Sequence, residues 1–191
     1  MRAAQAGPDT VRTAGFVVAL LGAECSGKTT LAQQLHRALQ QRGIDGVVVE
    51  EALRTFCCER GRTPTRHEQA GIAQRQADAV ADAARRHDVV IADTTALMTA
   101  VYSEHFFNDT RLYDNALALQ RRCGLTLLCA SDLPWQPDGH QRAGEHSRAT
   151  VDTLLRAALL RSETVFSVIS GSGAVRLSVA LSALQGALSK S

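Results

Sequence analysis

Cysteine pairs in metal or redox spacing, long apolar runs and blocks of like charge are all missing from this chain of 191 residues. Its five cysteines are odd in number, no Cys-x-x-Cys occurs, and Cys57 and Cys58 are adjacent. Neither a disulfide framework nor a zinc site is expected, and the thiols read as reduced. The apolar run near the start, Phe16 to Leu21, falls far below the roughly 20 residues of a membrane helix, and no secretory cleavage pattern follows it. No membrane association is expected, and the expected location is the cytoplasm. The 21 basic and 19 acidic residues are scattered, giving a net charge of +2 with no basic stripe for nucleic acid. The six histidines show no H-E-x-x-H spacing. Lysine is almost absent too, with Lys28 and Lys190 the only two among the basic residues.

What is present is a chain with 45% hydrophobic residues, enough for one buried core and too short for two comfortable ones. Residues 1–14, small and polar around Gly7-Pro8-Asp9, read as a loose N-terminal arm, and residues 15–191 as the domain. Short apolar runs alternate with longer stretches of helical periodicity. Strands are expected at Phe16–Leu21, Gly46–Val49, Asp88–Ala92, Leu125–Cys129 and Val165–Ile169. Helices are expected at Lys28–Gln41, Arg66–His87, Arg111–Arg122, Ala149–Arg161 and Gly173–Leu188. This alternation predicts a three-layer α/β P-loop NTPase fold, a five-stranded parallel sheet with helices on both faces. Two long segments, Thr94–Thr110 and Ser131–Arg148, follow strands and read as ligand loops at the carboxyl edge of the sheet.

One motif sets the chemistry. Gly22-Ala23-Glu24-Cys25-Ser26-Gly27-Lys28-Thr29 fits G-x-x-x-x-G-K-[ST] and lies between an expected strand and an expected helix. Its glycines allow a tight loop whose N–H groups converge on phosphate, and the following helix presents its positive end. Lys28 would reach the β- and γ-phosphates of ATP, Thr29 would hold Mg²⁺, and Thr30 would add a phosphate hydrogen bond. A lysine retained in an arginine-rich chain suits a compact point charge on phosphate.

Further candidates each carry an alternative. Asp93 ends an apolar strand, where it can face Mg²⁺ or take a proton from a substrate hydroxyl, or simply begin a turn with Thr94 and Thr95. Glu51 and Arg54 follow the second strand as acceptor contacts, or as the solvated start of a helix. Trp135, between Pro134 and Pro137, is a stacking platform for a flat ring or a core residue, and Asp138 can hold a ribose hydroxyl or turn the loop. Arg142 and Arg148 lie in a stretch with Gly139 and Gly144 that reads as a lid able to close on the γ-phosphate, or as a plain helix start. Gly171, Gly173 and Arg176 repeat a strand, glycine turn and helix without lysine, a turn that can wrap adenine or merely connect.

The ordered set resembles the ribosylnicotinamide kinase domain of the NadR type and the wider NadR-like P-loop ATPases. The resemblance runs from about Phe16 to the C-terminus. It rests on Gly22–Thr30, Glu51-x-x-Arg54, Ile72-Ala73 with Gln76, Asp93-Thr94 with Tyr102-Ser103, Asp132-x-Pro134-Trp135 with Asp138-Gly139, and Gly171-x-Gly173 with Arg176. It departs from that pattern at Thr55 and Thr95, which stand where acids are usual, and at Arg142, which falls one residue late. The resemblance implies a kinase using ATP and Mg²⁺ on a small nucleoside-like acceptor such as nicotinamide riboside, whose ring would stack on Trp135. It leaves no room for the adenylyltransferase and DNA-binding parts of bifunctional regulators. Two rivals stay open: another nucleoside or nucleotide kinase, and a regulatory ATPase that signals to a protein partner. A GTPase is disfavoured, because neither lysine lies in an Asn-Lys-x-Asp motif.

Overall fold

In a computed structural model that describes residues 14–135 and 145–190, the apolar alternation of the strands sorts side chains onto two sheet faces. Val18 and Leu20 of β1 (Phe16–Leu21), Val89 and Ile91 of β3 (Val89–Asp93), and Leu127 and Cys129 of β4 (Leu125–Cys129) face one core. That core is closed by Leu31, Leu35 and Leu39 of α1 (Lys28–Gln41) and by Ala180 and Leu184 of α7 (Gly173–Leu188). Leu21 and Leu128 turn to the other face. There they meet α3 (Arg66–Ala84), α4 (Ala96–Phe107), α5 (Tyr113–Gln120) and α6 (Glu145–Arg161). The remaining elements are β2 (Gly46–Val49), α2 (Ala52–Arg60) and β5 (Ser167–Ile169).

All five strands are parallel, in the order β2-β3-β1-β4-β5. From neighbouring strands β1 and β3 the chain leaves to opposite faces, β1 into α1 and β3 into α4. A crevice at the carboxyl edge results, the place where open α/β sheets take ligands. The register Leu20↔Asp93 brings the end of β3 beside the start of the loop that follows β1. Among the described residues no helix is long and apolar enough to cross a membrane, and none of the five cysteines is in a disulfide.

The expected ligand loop Thr94–Thr110 is instead helix α4. Thr95 caps it by accepting the Leu97 N–H at 3.3 Å, and Asn108 closes it in the left-handed region at φ 51°. Its first eight residues are buried, so no polar face exists to betray a 3.6-residue period. The stretch after β2, open between acceptor contacts and the solvated start of a helix, does begin a helix, α2, with Glu51 at its N-cap position. Smaller shifts have local causes. β3 begins at Val89, where the Asp88 and Val89 N–H groups both donate to the carbonyl of Asp45 just before β2, and it runs on through Asp93. β5 begins at Ser167, with Val165 before it 90% exposed. α3 ends at Ala84, where Arg86 tightens onto Ala83. Helix α6 starts at Glu145, earlier than Ala149.

Candidate functional site

The loop after β1 is built by glycine. Gly22 has φ +146°, and a Cβ there would lie 2.7 Å from both the Cys129 carbonyl oxygen and Ser26 Oγ. Gly27, at φ +76°, is the N-cap of α1, where a Cβ would meet Leu133 at 2.9 Å. Between them Cys25 takes a left-handed conformation at φ 54°, and buried Ser26 donates to the Ala23 carbonyl at 2.8 Å. No side chain caps α1 and no acid lies in its first turn, so its N-terminal N–H groups and dipole are available to an anion. Lys28 Nζ rests across the loop, donating to the carbonyls of Gly22 at 2.8 Å and Ala23 at 3.0 Å. Thr29 is half-buried beside it and Thr30 is exposed.

Two acids follow at the same edge of the sheet. Asp93 is 3% exposed, and its Oδ1 has no hydrogen-bond partner. Glu51, the N-cap position of α2, pairs with Arg54 at 3.6 Å. Burial pushes the Glu51 carboxyl above the usual range; Lys28 pulls it back, Asp93 pushes it further up, and Arg54 lowers it. The charges of Lys28 and Asp93 therefore both act on Glu51.

A single side chain ties the two acids together. Gln76 Oε1 accepts the N–H of Ala52, next after Glu51, at 2.7 Å, while Nε2 donates to the carbonyl of Thr94, next after Asp93, at 3.2 Å. Thr94 itself is β-branched yet left-handed at φ 78°, strain that costs on the order of 1–3 kcal/mol and clusters at functional sites.

Beside Lys28 and Glu51 opens a cavity of about 620 Å³, within the range of small-molecule pockets. Glu24, Cys25, Arg54 and Gln69 line it, with Tyr102, Phe106 and Phe107 of α4 forming an aromatic wall. Gln69 is 2% exposed and its Oε1 has no hydrogen-bond partner. At the rim, Arg62 is held by Glu68 through two bonds of 2.8 Å, and Arg66 Nε by the buried Asp109 at 3.0 Å. Hydrogen bonds from Arg111 and Arg66 hold the Asp109 carboxyl well below the usual range.

Not every expected site residue meets this cavity. Trp135 is half-buried with no partner for its Nε1, and it is not among the residues lining the cavity; the rings there are those of α4. Asp138 and Arg142 lie outside the described residues. Arg148 is 8% exposed and bonds backbone, donating to Leu133 at 2.8 Å and to Cys25 of the phosphate-type loop at 3.5 Å. Arg176 also approaches the loop from behind, and bonds the carbonyls of Gly171 and Ser26. Gln69 and the rings of Phe106 and Phe107 were not foreseen. A signal for the glutamine exists: Gln69, Ile72, Ala73 and Gln76 form one buried stripe of α3, and polar residues on such a stripe call for partners.

The residues fit magnesium, since Thr29 and a buried Asp93 oxygen without a partner are hard oxygen donors. No cluster of three or more His, Cys, Asp or Glu able to hold a metal by themselves occurs among the described residues.

Comparison with solved structures finds the fold in NadR. A NadR protein in complex with NR matches at TM-score 0.72 and 20% identity, covering 90% of this chain and 51% of that one. A NadR protein in complex with NAD and AMP-PNP matches at TM-score 0.72 and 20% identity over 92% of this chain and 50% of the other. The chain thus spans about half the length of these NadR chains. Deoxyadenosine kinase from M. mycoides, with dCMP and dCDP bound, shares the fold at TM-score 0.62 and 12% identity, covering 90% of this chain and 100% of that one. Among curated proteins none matches in sequence. The family AAA_28, an AAA domain, matches residues 17–176. With that match covering most of the sequence, and with a glycine-built loop, lysine and parallel sheet of the kind described, the chain belongs to this AAA domain family.

Proposed function

We propose that the protein is a kinase that transfers the γ-phosphoryl group of ATP to a hydroxyl of a nucleoside-like acceptor, with nicotinamide riboside the first candidate. The observation that carries this reading is the placement of the cavity directly against Lys28 and Glu51. An acceptor held there reaches the phosphate end of a nucleotide seated in the Gly22–Thr30 loop. The folds shared with a NadR bound to NR and with a deoxyadenosine kinase support the same class of acceptor.

In this mechanism the loop N–H groups and Lys28 fix the phosphate chain, so that catalysis comes from positioning and electrostatics. Glu51, whose carboxyl burial raises above the usual range, is suited to draw the proton from the acceptor hydroxyl. Thr29 and Asp93 would hold Mg²⁺, which neutralises charge on the phosphates. Tyr102, Phe106 and Phe107 would enclose the acceptor's ring, and Gln69 would meet a neutral polar group on it. Arg148 would steady the loop, and from their sequence positions alone Arg142 would serve the transferred group and Trp135 and Asp138 the nucleoside. The cytoplasm, with its ATP, fits this activity.

The test is ADP release from MgATP with nicotinamide riboside and a panel of nucleosides, read against the Lys28→Ala background. Acceptor-dependent turnover supports the kinase. Turnover unchanged by every acceptor would end this reading and favour a regulatory ATPase.

A further inference from the structure

Arg176 lies near the start of α7, 4% exposed, beneath the loop rather than in the cavity. Its Nε donates to the Gly171 carbonyl at 2.8 Å, and its Nη1 to the carbonyls of Ser26 at 3.1 Å and Ile169 at 3.3 Å. Nη2 donates to the Ala130 carbonyl at 3.3 Å and to Asp132 Oδ1. A guanidinium has five N–H donors in a rigid planar fork. Every one is therefore matched by an acceptor of the protein, and none is left for a ligand. The second oxygen of Asp132 accepts the Gly171 N–H at 2.6 Å, so the exits of β4 and β5 are locked to the same group.

The Ser26 bond has a directional effect. A trans peptide holds its carbonyl and its N–H on opposite sides, and no cis peptide occurs among the described residues. Drawing the Ser26 carbonyl toward α7 turns the Gly27 N–H of the same peptide the other way, out to the mouth of the loop. The carbonyl of the preceding peptide, that of Cys25, is held separately by a longer bond from Arg148 of α6.

We infer that Arg176, braced by Asp132, is a positioning residue for the phosphate cradle: it sets the direction of the Gly27 N–H and touches no part of the nucleotide. This inference rests on the reading that a nucleotide's phosphates occupy the Gly22–Thr30 loop. It differs from a direct adenine contact, in which the arginine would act on the base whatever phosphates followed.

The two roles separate in a calorimetric titration of the full chain with ADP, pyrophosphate and adenosine. Arg176→Ala and Asp132→Asn should weaken ADP and pyrophosphate, the arginine change by roughly tenfold, with adenosine unaffected. Arg176→Lys, with three donors at one point, should fall between wild type and alanine. A merely structural brace would lower the melting temperature and leave the ratio of ADP to adenosine affinity where it was, and that result would overturn the inference. Equal weakening of adenosine and ADP would overturn it too, by assigning the arginine to the base. If Arg176→Ala fails to fold, the lysine variant and Asp132→Asn give the same reading. Wild-type chain that binds ADP alongside variants that bind it equally well removes this inference alone. Wild-type chain that binds neither ADP nor pyrophosphate removes the nucleotide reading with it.

Discussion

The two edges of the sheet carry cavities of similar size, about 620 Å³ at the carboxyl edge and about 690 Å³ at the amino edge, where β4 and β5 begin and α7 ends. The carboxyl-edge cavity collects Lys28, Glu51, Arg54 and Gln69 beside the N-termini of α1 and α2. The amino-edge cavity lies among strand starts and the last turns of α7, with Ser182, Ala183 and Gly186 on its wall. In a parallel sheet every crossover delivers positive helix ends and open backbone to one edge and negative ends to the other. Volume therefore does not choose the site; the direction of the chain does.

The comparison breaks most readily at Glu51. Glu51→Gln should lower the acceptor-dependent rate by about 10²–10⁴-fold, the usual worth of a general base, with ADP affinity kept. Steady-state kinetics beside a binding titration separate the two. The same substitution carries an opposite effect on stability. Because the folded carboxyl sits above its unfolded value, the folded chain holds that proton longer. Stability then falls as pH rises from the unfolded value through the raised folded one, and the cost is fully present above it. Glu51→Gln should thus raise the melting temperature at pH 8 and leave it near wild type at pH 3.5; a melt that shifts equally at both would place the group outside a buried site.

A smaller effect belongs to Gln69. Gln69→Leu should raise the KM for an amide-bearing acceptor about tenfold, through loss of one buried hydrogen bond, and alter ADP affinity little. An unchanged KM would detach the cavity from the acceptor. Smallest is the opposite edge: Ser182→Trp, at an exposed position, should fill the mouth of the second cavity and leave turnover within about twofold, as surface changes away from a site do. A large loss there would show that the amino edge has a function of its own.

The phosphate-type loop was legible because its determinants are local: two glycines, a lysine and a hydroxyl within one strand-to-helix turn. The five strands were legible from apolar runs whose alternation matches the two faces. α4 was not, because burial on all sides removes the periodic contrast that marks a helix. Arg176 was picked out, but its five partners come from residues 26, 130, 132, 169 and 171, and only the folded chain brings these to one guanidinium. The aromatic wall escaped notice for a related reason: Trp135 is conspicuous as the sole tryptophan, whereas Phe106 and Phe107 reach the cavity only because α4 is helical.

Helix α3 carries both Gln69, which faces the cavity, and Gln76, which fixes the backbone next to each acid. On the proposed function, one rod of 19 residues would bear selection of the acceptor at one turn and alignment of the chemistry two turns later. Divergence toward a new acceptor would then be constrained along that rod, since a change that shifts it disturbs the backbone next to both acids as well. The outer wall at Phe106, 46% exposed, has no such duty. Evolution of preference within this scaffold should accordingly leave its first traces on α4, with α3 the slower partner.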